Sequence, residues 1–279
     1  MLFTTTSPCK LNLFLYITGK RPDGYHNLET LFVILDYGDK MTFQTTDDDK
    51  VELLTDFGFP VADNLIYKAA MLLKKTTNCQ KGVKISIDKV LPQGGGLGGG
   101  SGNAATVLLV LNKLWNLNLD KATLLKLGTS LGADVPIFIQ GTSAYATGIG
   151  EILTEVKVPN HYYLVATPDC KVPTKLLFSS DKLVKNTPSK TLEEHLKTSH
   201  DNCFTPVVVQ EYPQVQTLLD LLKKYGKSYM SGSGSSCFVA FDDIDHAKCA
   251  QKELNKLKIS SFIAKSVDLS PVIADLNKL

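Results

Sequence analysis

Seven of the nine residues from Gly94 to Gly102 are glycine, the exceptions being Leu97 and Ser101. A run with so few side chains cannot pack itself, so its flanks decide what it is for. Upstream, Lys84-Ile-Ser-Ile-Asp88 alternates, with Ile85 and Ile87 on one face and Ser86 and Asp88 on the other, which predicts a strand. Pro92 ends it, because proline cannot donate to a ladder. Downstream, Ala104, Leu108, Leu111 and Trp115 fall on one stripe and predict a buried helix from Asn103 onward. Glycine allows close backbone approach and positive φ. The helix start adds unpaired N–H groups and the positive end of a dipole. Strand, glycine loop and buried helix together predict a phosphate site rather than a linker.

The kind of phosphate loop is narrower than that. The Walker pattern is absent, since no lysine followed by Ser or Thr closes the run. Gly94, Gly96 and Gly99 fit the dinucleotide fingerprint, with Asp120 at about the right distance, so an NAD-dependent oxidoreductase stays open. Any glycine run produces that match. Asp120 also reads as the N-cap of a helix from Lys121 to Leu131, ended by Gly132.

Composition removes other classes. With 30 basic and 28 acidic residues the net charge is +2, and no basic run is interleaved with aromatics. Neither nucleic acid nor another polyanion is an expected partner. The longest apolar runs, such as Ala105 to Leu111, are too short to span a bilayer, and the first residues lack a signal-peptide pattern. Cys9, Cys79, Cys170, Cys203, Cys237 and Cys249 form no Cys-x-x-Cys pair. They read as reduced thiols of a cytoplasmic protein without a structural metal. A monomer or weak homodimer acting on a small molecule is the expectation.

From Pro8 to Thr18 the chain alternates, with Leu11, Leu13, Leu15 and Ile17 on one face and Lys10, Asn12, Phe14 and Tyr16 on the other. Lys10 and Asn12 therefore point the same way, about 7 Å apart. The second face is either wet or covered. Phe14 and Tyr16 favour covered, and a covered lysine needs an anionic partner. Arg21-Pro-Asp-Gly24 is a turn that leads into Tyr25 and His26. Leu31 to Leu35 and Lys40 to Thr46 read as two further strands, and Asp63 as the cap of the next helix. Asp134, just ahead of Val135-Pro136, reads either as a helix cap or as an aimed carboxylate, and the roles are compatible. Loop composition over Glu151 to Asn160 places a domain boundary near 150, giving domains 1–150 and 151–279. Beyond it, strands from Tyr162, Phe238 and Ser260 alternate with helices around Leu192, Val215 and Ile244, as for one antiparallel sheet. Met230-Ser-Gly-Ser-Gly-Ser-Ser-Cys237 predicts a second tight, backbone-exposing loop.

These motifs carry a resemblance over nearly the whole chain. Pro92-Gln-Gly-Gly-Gly-Leu-Gly-Gly-Gly-Ser101 resembles the phosphate loop of the galactokinase, homoserine kinase, mevalonate kinase and phosphomevalonate kinase superfamily, in the form of the branch acting on diphosphocytidyl methylerythritol. Pro8-Cys-Lys-Leu-Asn-Leu-Phe-Leu15, Gly19-Lys-Arg-Pro-Asp-Gly-Tyr-His26, Leu131-Gly-Ala-Asp-Val-Pro-Ile-Phe138 and Ser231-Gly-Ser-Gly-Ser-Ser-Cys-Phe238 are similar to further motifs of that branch, in the same order.

The resemblance implies an α+β, two-domain fold, with an N-terminal α/β nucleotide-binding domain, a C-terminal ferredoxin-like domain and the site in the cleft. It implies ATP with Mg²⁺, and transfer to the 2-hydroxyl of the substrate. Asp134 would be the base and Lys10 its charge-stabilising partner. Pro92, Gln93, Gly94, Gly95, Gly96, Leu97, Gly98, Gly99, Gly100, Ser101 and Gly102 would hold the phosphates, with Asn64 and Lys89 near the adenosine. Asn12, Tyr25, His26 and Phe178 would hold the diphosphocytidyl group. Gly102 stands where the branch commonly has a second serine, which implies weaker ATP binding. A kinase of another small alcohol, the oxidoreductase and a non-catalytic nucleotide-binding module are the rival readings. Retention of Lys10, Asp134 and Tyr25-His26 argues against the last.

Overall fold

The computed structural model describes residues 1–198 and 200–279. Its frame is a long antiparallel pair, β1 (Leu2–Lys20) and β2 (His26–Thr46), joined by the turn before Tyr25. The two expected strands at Leu31 and Lys40 are one, because Gly38 does not turn the chain. It sits opposite Pro8, and a Cβ there would lie 1.8 Å from the Ser7 carbonyl oxygen, so this strand crossing requires glycine. The sheet continues with β3 (Val51–Leu53), then α1 (Leu65–Thr77), β4 (Gly82–Asp88), α2 (Gly99–Leu114), α3 (Lys121–Leu131), α4 (Val135–Gln140), β5 (Ala144–Thr147) and β6 (Ile152–Glu155). Strand order is β3-β4-β2-β5-β6, with β1 also on β2. The first sheet therefore closes at Glu155, a few residues past 150.

Two helix starts differ from the sequence reading. Asn64, not Asp63, caps α1, its Oδ1 accepting the Ile66 N–H at 3.0 Å, while Asp63 ends a short 3-10 turn. Helix α2 begins at Gly99, four residues before the expected start at Asn103. Glycine carries no helical signal of its own. Here tertiary packing imposes the helix: Gly102, Asn103 and nearly every residue to Leu111 are buried.

The second half supplies β7 (Tyr162–Thr167), α5 (Thr174–Ser179), α6 (Leu192–Lys197), α7 (Thr205–Glu211), α8 (Pro213–Leu222), β8 (Ser228–Met230), β9 (Cys237–Phe241), α9 (Ile244–Lys256), β10 (Ser260–Lys265) and α10 (Pro271–Leu276). Its sheet, β10-β7-β9-β8, is antiparallel throughout, as the alternation predicts. Helix α10 returns to pack on β1 and α2, with Val272 in the N-terminal core.

Strand β2 explains its own uninterrupted apolar run. Phe32 and Ile34 enter the core under α1, α2 and α4, whereas Val33 and Leu35 join Cys9, Leu11, Tyr163, Val165 and Phe238 between the two sheets. A strand buried on both faces has no polar face to alternate. A second tie is polar. The segment before α7 runs parallel to β1 for one bridge, with the Cys203 N–H donating to the Leu15 carbonyl at 2.9 Å and the Leu15 N–H to that of Asp201 at 3.0 Å. Among the described residues no helix is long and apolar enough to cross a membrane.

Candidate active site

Lys10 and Asn12 do point the same way from β1, as the alternation requires. The Lys10 side chain is buried, and its ammonium group has three oxygen neighbours: Asn12 Oδ1 at 2.5 Å, the Gly96 carbonyl at 3.0 Å and Asp134 Oδ2 at 3.5 Å. An ammonium has three protons, so its position is over-determined. Asn12 is held in turn, with Nδ2 donating to Thr30 Oγ1 at 2.8 Å, and Thr30 Oγ1 donating to the Phe14 carbonyl at 2.5 Å. The Asn12 carboxamide thus serves Lys10 first and keeps one N–H for a ligand.

Asp134 occupies the N-cap position of α4 but makes no capping hydrogen bond, because its own backbone is already helical (φ −87°, ψ −5°). Its carboxylate is turned to Lys10 instead and is 39% exposed toward the cleft. The compatible double role is thereby corrected: this side chain caps nothing.

The glycine loop is fixed by its one large residue. Leu97 is buried between the sheets, and its carbonyl accepts the Lys10 backbone N–H at 3.1 Å. The second loop holds the other side, Ser231 Oγ donating to the Gly96 carbonyl at 3.0 Å and the Ser236 N–H to that of Gly95 at 3.1 Å. At Gly98 the chain turns into α2 with φ +72°, and a Cβ would lie 2.8 Å from Phe138 Cζ and 3.2 Å from Lys10 Cε. Replacing Gly98 would disturb the lysine as well as the loop. Gly100 is the cleaner probe, since a Cβ there meets only Leu65 Cδ1 at 3.9 Å. Gly100→Val is expected to keep the parent melting temperature and weaken ATP by about tenfold or more, ~1.4 kcal/mol. Unchanged affinity in a nucleotide titration would place the phosphates elsewhere.

Two cavities meet across this loop. The larger, about 920 Å³, lies in the cleft with Lys10, Asn12, Asp134, Tyr25, His26 and Phe178 on its walls. The smaller, about 380 Å³, is lined by Asn64, Lys89, Pro92, Gln93 and the loop from Gly94 to Ser101. Gly94, Gly96, Gly98 and Ser101 face both. Gly102 lines neither; a Cβ there would lie 2.7 Å from the Pro8 carbonyl oxygen. A serine at this position would face β1, so the weaker ATP binding expected from its absence does not follow.

Lys89 is tied to a residue the sequence reading passed over. Asp39 is fully buried, lies 2.5 Å from Lys89 Nζ, and accepts the N–H groups of Val90 and Leu91 and one from Asn103 Nδ2. Asn103 Oδ1 is buried and, among the described residues, has no hydrogen-bond partner. Since Asn103 also lines the smaller cavity, an acceptor there awaits a donor from a ligand.

On the cleft side, the Arg21–Asp23 pair (2.9 Å) shapes the turn, and Asp23 Oδ1 accepts the Tyr25 N–H at 3.1 Å. Tyr25 stands 59% exposed at the cavity. His26 lies flat against Phe178, ring centroids 5.3 Å apart and planes at 22°. Burial, then the Lys185 and Lys20 charges, push its pKa below the ordinary histidine value, so it stays neutral near pH 7. Its Nε2 is buried without a partner among the described residues. Thr30, Ser231, Asp39, Lys20 and Lys175 were all missed as site residues. Of these, Ser231 lies in the second glycine loop and Lys20 in the Gly19–His26 motif, so both carried a signal; the other three carried none. Cys9 is buried and burial pushes its thiol pKa up, so it is unreactive. Among the described residues no three His, Cys, Asp or Glu side chains are grouped to hold a metal.

The chain has relatives among known proteins. Residues 64–142 match the model of the GHMP kinases N terminal domain and 182–259 that of the GHMP kinases C terminal. The chain is 47% identical to 4-diphosphocytidyl-2-C-methyl-D-erythritol kinase of Colwellia psychrerythraea, over 98% of this chain and 93% of that one. It is 44% identical to the enzyme of the same name from Hahella chejuensis, over 99% and 97%. The fold superposes on a crystal structure of 4-(cytidine 5'-diphospho)-2C-methyl-D-erythritol kinase with TM-score 0.83 at 31% identity, covering 94% of this chain and 98% of that one. The glycine loop lies inside the matched N-terminal kinase domain, which displaces the dinucleotide reading.

Proposed function

The chain belongs to the GHMP kinases, and from that premise we propose how its two cavities divide the work of phosphorylating 4-diphosphocytidyl-2-C-methyl-D-erythritol with ATP. ATP occupies the smaller cavity with its phosphates on the glycine loop. The diphosphocytidyl alcohol occupies the larger, with its 2-hydroxyl at Asp134. The observation that carries this is the Lys10–Asp134 pair, 3.5 Å apart, beside the loop residues that face both cavities.

Phosphoryl transfer asks a protein mainly for positioning and charge stabilisation. Asp134 accepts the hydroxyl proton as the oxygen attacks the γ-phosphorus, and ADP leaves with the electron pair of the broken bond. Lys10 stabilises the growing charge from a fixed position. The base contributes about 10²–10⁴-fold. The residues present fit a nucleotide: the bare loop amides and the α2 N-terminus suit its phosphates, and the unpartnered Asn103 Oδ1 suits a donor group of its nucleoside. Mg²⁺ enters with ATP and neutralises phosphate charge; it is part of the substrate rather than a protein-held ion.

Lys20 and Lys175 line the larger cavity and complement the diphosphate of the second substrate. Tyr25 offers a ring to the cytosine, and Phe178 contributes through the His26 ring it backs. Both cavities are walled by one chain, so a monomer or weak homodimer suffices. A coupled assay of ADP release tests the reading: turnover is expected with the cytidyl substrate and not with mevalonate, homoserine or galactose. In the same assay Tyr25→Ala should raise the KM for the cytidyl substrate roughly 5–150-fold and leave that for ATP unchanged. Turnover of another alcohol in preference would overturn the assignment.

A further inference from the structure

Among the described residues only two aromatic side chains are strongly exposed, Tyr25 at 59% and Phe59 at 46%. Each stands at a different cavity: Tyr25 at the larger, Phe59 at the smaller. An exposed ring forgoes much of the burial that its large apolar surface would otherwise gain. A ring left out at the mouth of a groove is therefore a surface for a flat ligand.

The loop that carries Phe59 is held at both ends. At its start the Leu54 N–H donates to the Ile85 carbonyl at 2.8 Å, and Thr55 Oγ1 accepts the Ile87 N–H at 2.9 Å. At its end the Asp63 N–H donates to the Pro60 carbonyl at 2.9 Å, leading directly into the Asn64 cap of α1. Between them Asp56 Oδ1 accepts the Gly58 N–H at 2.8 Å and closes a tight turn. The turn brings Phe57 and Phe59 together, centroids 6.0 Å apart and planes at 50°. Phe57 is rooted against the N-terminal core, so Phe59 is backed by a fixed neighbour. The same groove has the bare amides of the glycine loop on another wall. Its lining thus joins an anion-binding surface to an apolar ring, the two needs of a nucleotide.

We infer that Phe59, backed by Phe57, is the stacking platform for the base of the phosphate donor, a specificity-determining contact resting on the placement of ATP in the smaller cavity. A ring face reads the size of a base but not its hydrogen-bonding edge. The contact therefore favours purines over pyrimidines without separating adenine from guanine.

The test is a set of equilibrium titrations with ATP, CTP and inorganic tripolyphosphate on the parent, Phe59→Ala and Phe59→Tyr, each with the larger cavity saturated by CDP so that only the smaller cavity is read. Phe59→Ala should weaken ATP roughly 5–150-fold, shrink the preference for ATP over CTP, and leave tripolyphosphate affinity unchanged. Phe59→Tyr keeps the ring and should bind ATP like the parent. Equal ATP affinity in Phe59→Ala and the parent overturns the inference. So does an equal loss for ATP and tripolyphosphate, which assigns the loop a structural role. Failure of the parent itself to bind ATP would instead overturn the kinase assignment, so the two failures are distinguishable.

Discussion

Asp134→Asn is expected to lower kcat by about 10²–10⁴-fold with the melting temperature and both substrate affinities close to the parent's. The stability half of this expectation follows from geometry. Asp134 makes no capping hydrogen bond and its side chain is partly exposed, so an isosteric amide removes nothing that α4 depends on. Lys10 loses the partner at 3.5 Å but keeps Asn12 Oδ1 and the Gly96 carbonyl, so it remains in place. What disappears is the proton acceptor. A loss in kcat and kcat/KM together, with substrate binding intact, identifies an interaction made only in the transition state. Turnover within threefold of the parent would mean that the base is another group. A fall in melting temperature with normal turnover would mean that Asp134 is structural after all.

Glu29→Ala is expected to destabilise the fold by roughly 3–5 kcal/mol. Glu29 is buried on β2 and gathers the segment that crosses from the C-terminal half: His195 Nε2 lies 2.7 Å from its Oε2, the Lys190 N–H donates to the same oxygen at 3.1 Å, and Ser189 Oγ donates to the other. His195 is packed against both Phe14 and Tyr16, with centroid distances of 4.5 and 4.9 Å. Removing the carboxylate leaves the buried His195 Nε2 dry and unpartnered, at a cost of about 1–3 kcal/mol, and releases the Ser189–Lys190 segment from β2. Glu29→Gln keeps the shape and one acceptor oxygen, and should cost less. Chemical denaturation of both variants checks this. A loss below about 1 kcal/mol in Glu29→Ala would reduce the cluster to the value of a surface pair.

Much of the site was legible because it is local. The strand–loop–helix unit follows from alternation, a glycine run and a 3.6-residue stripe, each readable within about twenty residues. The common direction of Lys10 and Asn12 follows from the two-residue repeat of a strand, and β-bulges between Asn12 and Leu15 and on either side leave that pair untouched. Order of motifs along the chain carried the family. Asp39 and Glu29 were not legible, because a buried carboxylate inside a strand has the same pattern as a solvated one. Their partners lie 50 and 166 residues away in sequence.

The sequence by itself determined most of the elements, the glycine loop between strand and helix, and the common direction of Lys10 and Asn12, since these depend on side-chain period and on glycine's missing Cβ. Only the tertiary structure decided what the polar residues do there. It turned Asp134 from a cap into the partner of Lys10, moved Gly102 off the groove, laid His26 on Phe178, and left Phe59 as an exposed ring at the smaller cavity. The reason is physical. Local pattern reports which apolar side chains are buried, but the donor, acceptor or ring that a polar side chain meets comes from another part of the chain, and that meeting exists only once the sheets have closed on each other.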